Sequence, residues 1–253
     1  MIKEDAKRFV RRYRVLGLLP AVFWLGACGP AAGTGPHEMS AAQHQSAAAQ
    51  EQLEAAEHGK DYDPQAQKKQ LRCAPGQTKT GICWKELVNS TAEHDELAAK
   101  HRKLAAQHRA ASQTLVQAEA RACAGLDPDD RDMSPFVHGG DIASVSLLKE
   151  ATHSEGGYDH EGAAIGASIV FQAVPGLTAP WFQHIVDCHL ARNAALGHAE
   201  ASAEMAFCPL TIQGAQATVR ESRSGFAVDV RSEAPGGADE IWRVAQKLAP
   251  GGR

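Results

Sequence analysis

Aromatic residues are scarce, at 6% of 253 residues, while alanine is abundant, so part of the chain buries little large apolar surface. The apolar run over residues 15–25 is about 11 residues, short of the roughly 17–25 that a spanning helix needs. There is no surplus of positive charge; the formal net charge is −4. Catalytic signatures are missing too. The chain has no His-Glu-x-x-His, no phosphate-binding Gly-Lys loop and no dinucleotide fingerprint. Its acidic stretches do not fit the calcium-loop spacing of an EF-hand.

What is present starts at the N-terminus. A basic stretch (Lys3, Lys7, Arg8, Arg11, Arg12, Arg14) precedes the apolar run, which ends at Leu25-Gly26-Ala27-Cys28. Basic head, short apolar segment and small residues before a cut mark a secretory signal over residues 1–27. The last four residues resemble the lipobox of bacterial lipoproteins. That resemblance implies cleavage before Cys28, lipid on its sulfur and amine, and a membrane reached through this anchor. Gly29, rather than Asp, follows the cysteine, which implies the periplasmic face of the outer membrane. Removing residues 1–27 takes away six basic and two acidic residues, so −4 becomes −8. That balance argues against nucleic acid or anionic lipid as a partner. Residues 28–36, rich in Gly and Pro, read as lipid anchor and flexible tether.

Five cysteines remain beyond Cys28, and an oxidising periplasm favours disulfides. Cys73 and Cys83 flank a turn-rich loop and form one expected pair. Cys188 and Cys208 bracket a Gly/Ala-rich segment and form the other. Cys123 is then left over, as a free thiol or for pairing with another molecule.

Residues 37–125 read as an antiparallel helical hairpin. The first helix is expected over 37–58, with Ser40 and Gln43 as a capping box and Gly59 as a stop. A loop carrying Cys73 and Cys83 follows. The second helix has Ser90 and Glu93 as its capping box and meets no Gly or Pro before Gly125, giving about 48 Å of helix. Leu97, Leu104, Ala111 and Ala118 recur every seven residues, as do His94, His101, His108 and Leu115. This is a two-position seam with histidine in one of them. The stretch from His37 to His44 repeats the pattern of His94 to His101.

Residues 141–250 change texture. Ile142, Val145 and Leu147 alternate, as do Ile165, Ala167, Ile169, Phe171 and Ala173. A helix capped by Thr178 carries Trp181, Phe182, Ile185, Cys188, His189 and Leu196 on one face. Two strands follow, over 211–220 and 226–231, then a helix over 235–248 with Ile241, Val244, Ala245 and Leu248 as its buried stripe. The fold class is therefore α+β: lipidated tether, helical hairpin, and a small antiparallel sheet covered by two helices. The element order is similar to ferredoxin-like modules, including heavy-metal-associated domains. Those bind metal through Cys-x-x-Cys after the first strand; here that loop, residues 174–180, has no cysteine.

The histidines are the leading candidates for chemistry, since imidazole suits copper and zinc. Residues seven apart on a helix are about 10.5 Å apart along its axis, so one stripe cannot close around an ion. A site needs a second helix to add His or Glu in the same layer. His37, His44, His94, His101 and His108 are the candidate ligands, with His58 also at matching spacing. The alternative is that histidine serves as a medium-sized polar residue in an alanine-lined seam. Cys188, His189, His198, Met205 and Cys208 form a soft set that copper(I) would accept, unless the two cysteines are oxidised together. His138-Gly139-Gly140-Asp141 is similar to a lipase oxyanion loop, but no Gly-x-Ser-x-Gly elbow supplies a nucleophile. Glu155, Asp159 and Glu161 read as a solvated loop. The expectation is a non-enzymatic envelope lipoprotein that binds another envelope protein, or alternatively a periplasmic copper or zinc binder. The body of the chain resembles His/Ala-rich bacterial envelope lipoproteins, a resemblance that brings no activity with it.

Overall fold

The structure, a computed structural model, describes residues 31–73, 83–150 and 162–250. The lipobox, Cys28 and the acidic loop of Glu155, Asp159 and Glu161 lie outside the described residues. The start of the described chain is not a free tether. Thr34 is buried, its hydroxyl donates to the Ala31 carbonyl, and the Gly35 amide donates to Glu38.

Helix α1 (Ala41–Asp61) begins at the expected capping box: Ser40 Oγ accepts from the Gln43 amide and Gln43 Oε1 from the Ser40 amide. It runs through Gly59 instead of stopping there. It ends at Tyr62, two residues before Pro64, where a following proline disfavours helical backbone. The segment expected as a loop is a ribbon, β1 (Gln67–Cys73) paired antiparallel with β2 (Cys83–Asn89). The Cys73–Cys83 disulfide closes its far end. Helix α2 (Ala92–Ala122) begins after Thr91, not at Ser90. The Ser90 hydroxyl is used elsewhere: it donates to the Ala66 carbonyl and ties the ribbon base to the helix start. At 31 residues α2 is about 46 Å long.

A short helix α3 (Pro128–Asp132) leads into β3 (Ile142–Lys149) and β4 (Ala164–Gln172). Then come α4 (Ala179–Leu196), α5 (His198–Glu204), β5 (Ala215–Ser222), β6 (Gly225–Ser232) and α6 (Gly237–Gln246). The sheet order is β3-β4-β6-β5 with every neighbour antiparallel. Strand β6 thus lies between β4 and β5, which α4 connects: the split β-α-β arrangement expected from the element order. The fourth strand comes from β3, ahead of that unit. Helices α4 and α6 cover one face, and Ile169, Val186, Val228, Val230 and Ile241 are fully buried there. Most aromatics among the described residues lie in or against this core, where Phe171 packs against Phe136 and Phe182 at ring separations of 5.6 and 5.1 Å. Trp181 and Leu196, expected on the buried face of α4, are 41% and 44% exposed. The buried face follows Phe182, Ile185, Val186, His189 and Asn193, and these two residues flank it.

The second disulfide is Cys123–Cys188, not Cys188–Cys208, and Cys208 is a buried free thiol. The helical period is the reason. Cys188, Arg192 and Ala195 form the α4 face turned toward the hairpin. There Cys188 meets Cys123 at the end of α2, Arg192 meets Glu119 at 3.6 Å, and Ala195 packs with Ala41 and Leu115. Cys208 faces the other way, into the core of the sheet domain. Cys123, expected to be left over, is therefore the staple between hairpin and domain.

Candidate functional site

The two long helices mesh in an antiparallel register that steps by seven in opposite directions. Small residues line the seam; Ala48, Ala55, Ala98, Ala105 and Ala111 are all buried. Between these alanine layers lie three polar layers: His44 against His108, Glu51 against His101, and His58 against His94. Adjacent polar layers are about 10.5 Å apart along the helix.

In the innermost layer the Nδ1 atoms of His44 and His108 are 3.1 Å apart, and both rings are buried. The Nε2 of His44 lies 3.1 Å from the Gly35 carbonyl. A carbonyl only accepts, so Nε2 of His44 carries a proton, and in the neutral ring its Nδ1 is then the acceptor. With His44 neutral, the His108 Nδ1–H is the donor across the seam. In the middle layer His101 Nδ1 is 2.7 Å from Glu51 Oε2, a charge-assisted geometry when the imidazole is protonated. In the outer layer the Nδ1 atoms of His58 and His94 are 3.3 Å apart, and Asp61 Oδ2 is 3.9 Å from His94. The His58 ring stacks on His101 at 5.5 Å, so the middle and outer layers touch.

Of the residues expected to be ligands, His44, His94, His101 and His108 are thus brought into cross-helix pairs. His37 is not. Ser40 caps α1, so His37 lies in the preceding turn, exposed, with its carbonyl accepting from Gln213. Glu51 and His58 complete the layers; their seven-residue spacing from His44 was the signal for them. Among the described residues, no group of three or more His, Cys, Asp or Glu is arranged to hold a metal ion. Two imidazole nitrogens at 3.3 Å nonetheless match the nitrogen–nitrogen edge of about 3.3 Å that zinc–nitrogen bonds of 2.0–2.1 Å produce in a tetrahedron. Each layer offers two such ligands at most, leaving further positions to water or an added ligand.

The soft set of the sheet domain does not converge. Cys188 is oxidised with Cys123, His189 pairs with the Asp130 carbonyl at 3.2 Å, and His198 pairs with the Thr211 carbonyl at 3.0 Å. Burial lowers the pKa of both histidines, and it raises that of the Cys208 thiol. His138 is exposed beside a single 3₁₀ turn over Gly139–Asp141. On the sheet face away from the helices, Asp229 accepts from Ser168 at 2.5 Å and from Arg220 at 2.8 Å, a paired polar cluster.

Set against protein-family models, curated proteins and solved structures, the chain matches none of them.

Proposed function

We propose that this protein is a non-enzymatic, lipid-anchored component of the bacterial cell envelope that acts as an interaction module. The observation that supports this reading best is the separation of its two ends. Residues 31–40 and the sheet domain meet at one end of the α1–α2 hairpin, and the ribbon stands at the other, about 46 Å away along α2. Cys28 is three residues before Ala31, a reach of at most about 10 Å, so a lipid there would hold the sheet-domain end near the membrane. The hairpin then serves as a spacer and the ribbon as the distal contact. The partner in this reading is another envelope component, and nucleic acid is not one. The test has two parts. Cys28→Ser should abolish labelling by a fatty-acid precursor and release the protein from the membrane fraction. Photocrosslinkers in the ribbon and in the sheet domain should then capture different partners in cells.

A second reading, periplasmic copper or zinc binding, is favoured by the cross-helix nitrogen distances of 3.1 and 3.3 Å. Calorimetric titration of the chain from Gly29 to Arg253 with Zn²⁺ or Cu²⁺ tests it. Stoichiometric binding, lost in the His94→Gln, His101→Gln, His108→Gln variant, supports the reading, and should add about 2.7 kcal/mol of stability at 100 times Kd. Absence of heat with either metal removes it.

A further inference from the structure

We propose that the two strands of the β1–β2 ribbon, residues 67–73 and 83–87, dock on a bilayer surface rich in anionic phospholipid. Every residue of β1, and residues 83–87 of β2, is exposed. The exposed set is unusual in content. Leu71 and Leu87, on one face of the ribbon, are each 62% exposed, and Trp84, on the other face, is 48% exposed. They alternate with Lys68, Lys69, Arg72 and Lys85, against one acid, Glu86, which already pairs with Arg72 at 3.0 Å. Among the described residues Lys68, Lys69 and Lys85 have no acidic partner. The chain is acidic as a whole, so charge is segregated: this exposed ribbon carries a local excess of cations.

The register fixes how these groups are offered. Leu71 lies opposite Lys85 and Arg72 opposite Trp84, immediately behind the Cys73–Cys83 pair. Two apolar and two cationic side chains therefore stand on the two rungs next to the disulfide, Leu71 with Lys85 on one face and Arg72 with Trp84 on the other. Tryptophan and leucine beside lysine and arginine is the chemistry of the headgroup–acyl boundary: the apolar groups enter it while the cations meet phosphate. A polyanion without an apolar layer would use the cations and leave Leu71 and Leu87 in water. The net negative charge does not oppose this docking of the ribbon strands, because charges more than about 8 Å away are screened at physiological salt. The inference goes beyond the proposed anchor and does not require it, since the ribbon is at the opposite end of the hairpin from residue 31.

The experiment is sedimentation of the chain from Gly29 to Arg253, which keeps every described element, with lipid vesicles. One set is phosphatidylcholine alone and the other is phosphatidylcholine with phosphatidylglycerol. Binding to the anionic set only is expected. Lys68→Gln, Lys69→Gln, Lys85→Gln in one variant should weaken it by on the order of a hundredfold. Trp84→Phe should remove a blue shift of tryptophan emission seen on binding. All four positions are exposed, and an unchanged melting curve confirms that the variants fold. Equal binding to both vesicle sets, binding unaffected by the triple variant, or retention by purified cell-wall polymer without retention by vesicles would overturn the proposal. None of these outcomes depends on lipidation of Cys28, so failure here is separable from failure of the anchor reading.

Discussion

His44 and His108 face each other across the helical seam with their Nδ1 atoms 3.1 Å apart, and the Gly35 carbonyl behind His44 decides which of the two donates. A residue from the N-terminal turn thus sets the tautomer of a pair held between two helices. Long-range ¹H–¹⁵N spectra of the neutral rings should show the His44 proton on Nε2 and the His108 proton on Nδ1. His108→Ala leaves the His44 Nδ1 buried without its donor, and should cost about 1–3 kcal/mol in denaturant unfolding. Replacing both rings by leucine removes the buried Nδ1 orphan along with the bond and leaves only the half-buried Gly35 carbonyl without its donor. The double variant should therefore be more stable than the sum of the two single changes.

The staple between α2 and α4 makes a thiol prediction. In the chain from Gly29 to Arg253 no cysteine should react with a thiol reagent in the native state, because Cys208 is fully buried and burial raises its pKa. Unfolding in denaturant without reductant should expose one thiol per chain. Cys123→Ser with Cys188→Ser opens a link between residues 65 apart, worth about 4 kcal/mol in the chain-entropy account. Cys73→Ser with Cys83→Ser should instead fray the ribbon, seen as faster amide exchange in β1 and β2, with the main unfolding transition little moved.

The histidine layers were half legible in the sequence. The seven-residue spacing of His94, His101 and His108 marks a stripe on one helix, and the matching spacing of His44 and His58 marks another. Which ring meets which depends on the register of the hairpin, and that is set where Ala41, Leu115 and Ala195 pack at the domain end. The sheet strands were legible because Phe226, Val228 and Val230 alternate against a covered face. The ribbon was not, because Gln67–Cys73 is exposed on both faces and carries no apolar alternation. The disulfide of Cys188 was misread for a related reason. Cys208 is nearer in sequence than Cys123, but the face of a helix selects a partner, and only the docked hairpin reveals that Cys188 faces α2.

Gly166 sits in the middle of the sheet domain at φ +152, directly across from β6. A Cβ there would run into the Val230 carbonyl oxygen, which belongs to the strand backbone and has no room to withdraw. Gly166→Ala should therefore lower stability by a few kcal/mol, through lost β4–β6 pairing as well as backbone strain, of which the strain alone is about 1–3 kcal/mol. Thermal unfolding checks this. Gly59→Ala is the control: it lies inside α1 with open space around it, and should raise helix stability by about 0.5–1 kcal/mol.

Acid should loosen the sheet domain through two histidines that do not belong to the seam. Burial is the largest influence on His189 and on His198, and it lowers both pKa values from the ordinary 6.5. In the unfolded chain these rings take up a proton as pH falls through about 6.5, while in the folded chain they resist it. The unfolded state then binds more protons, so stability rises with pH in that window and is fully present above it. Denaturant midpoints should therefore fall as pH drops from 7 toward 5. His189→Asn with His198→Asn keeps a polar group near the Asp130 and Thr211 carbonyls but removes the titration. The double variant should have a shallower pH dependence over that window than the parent chain.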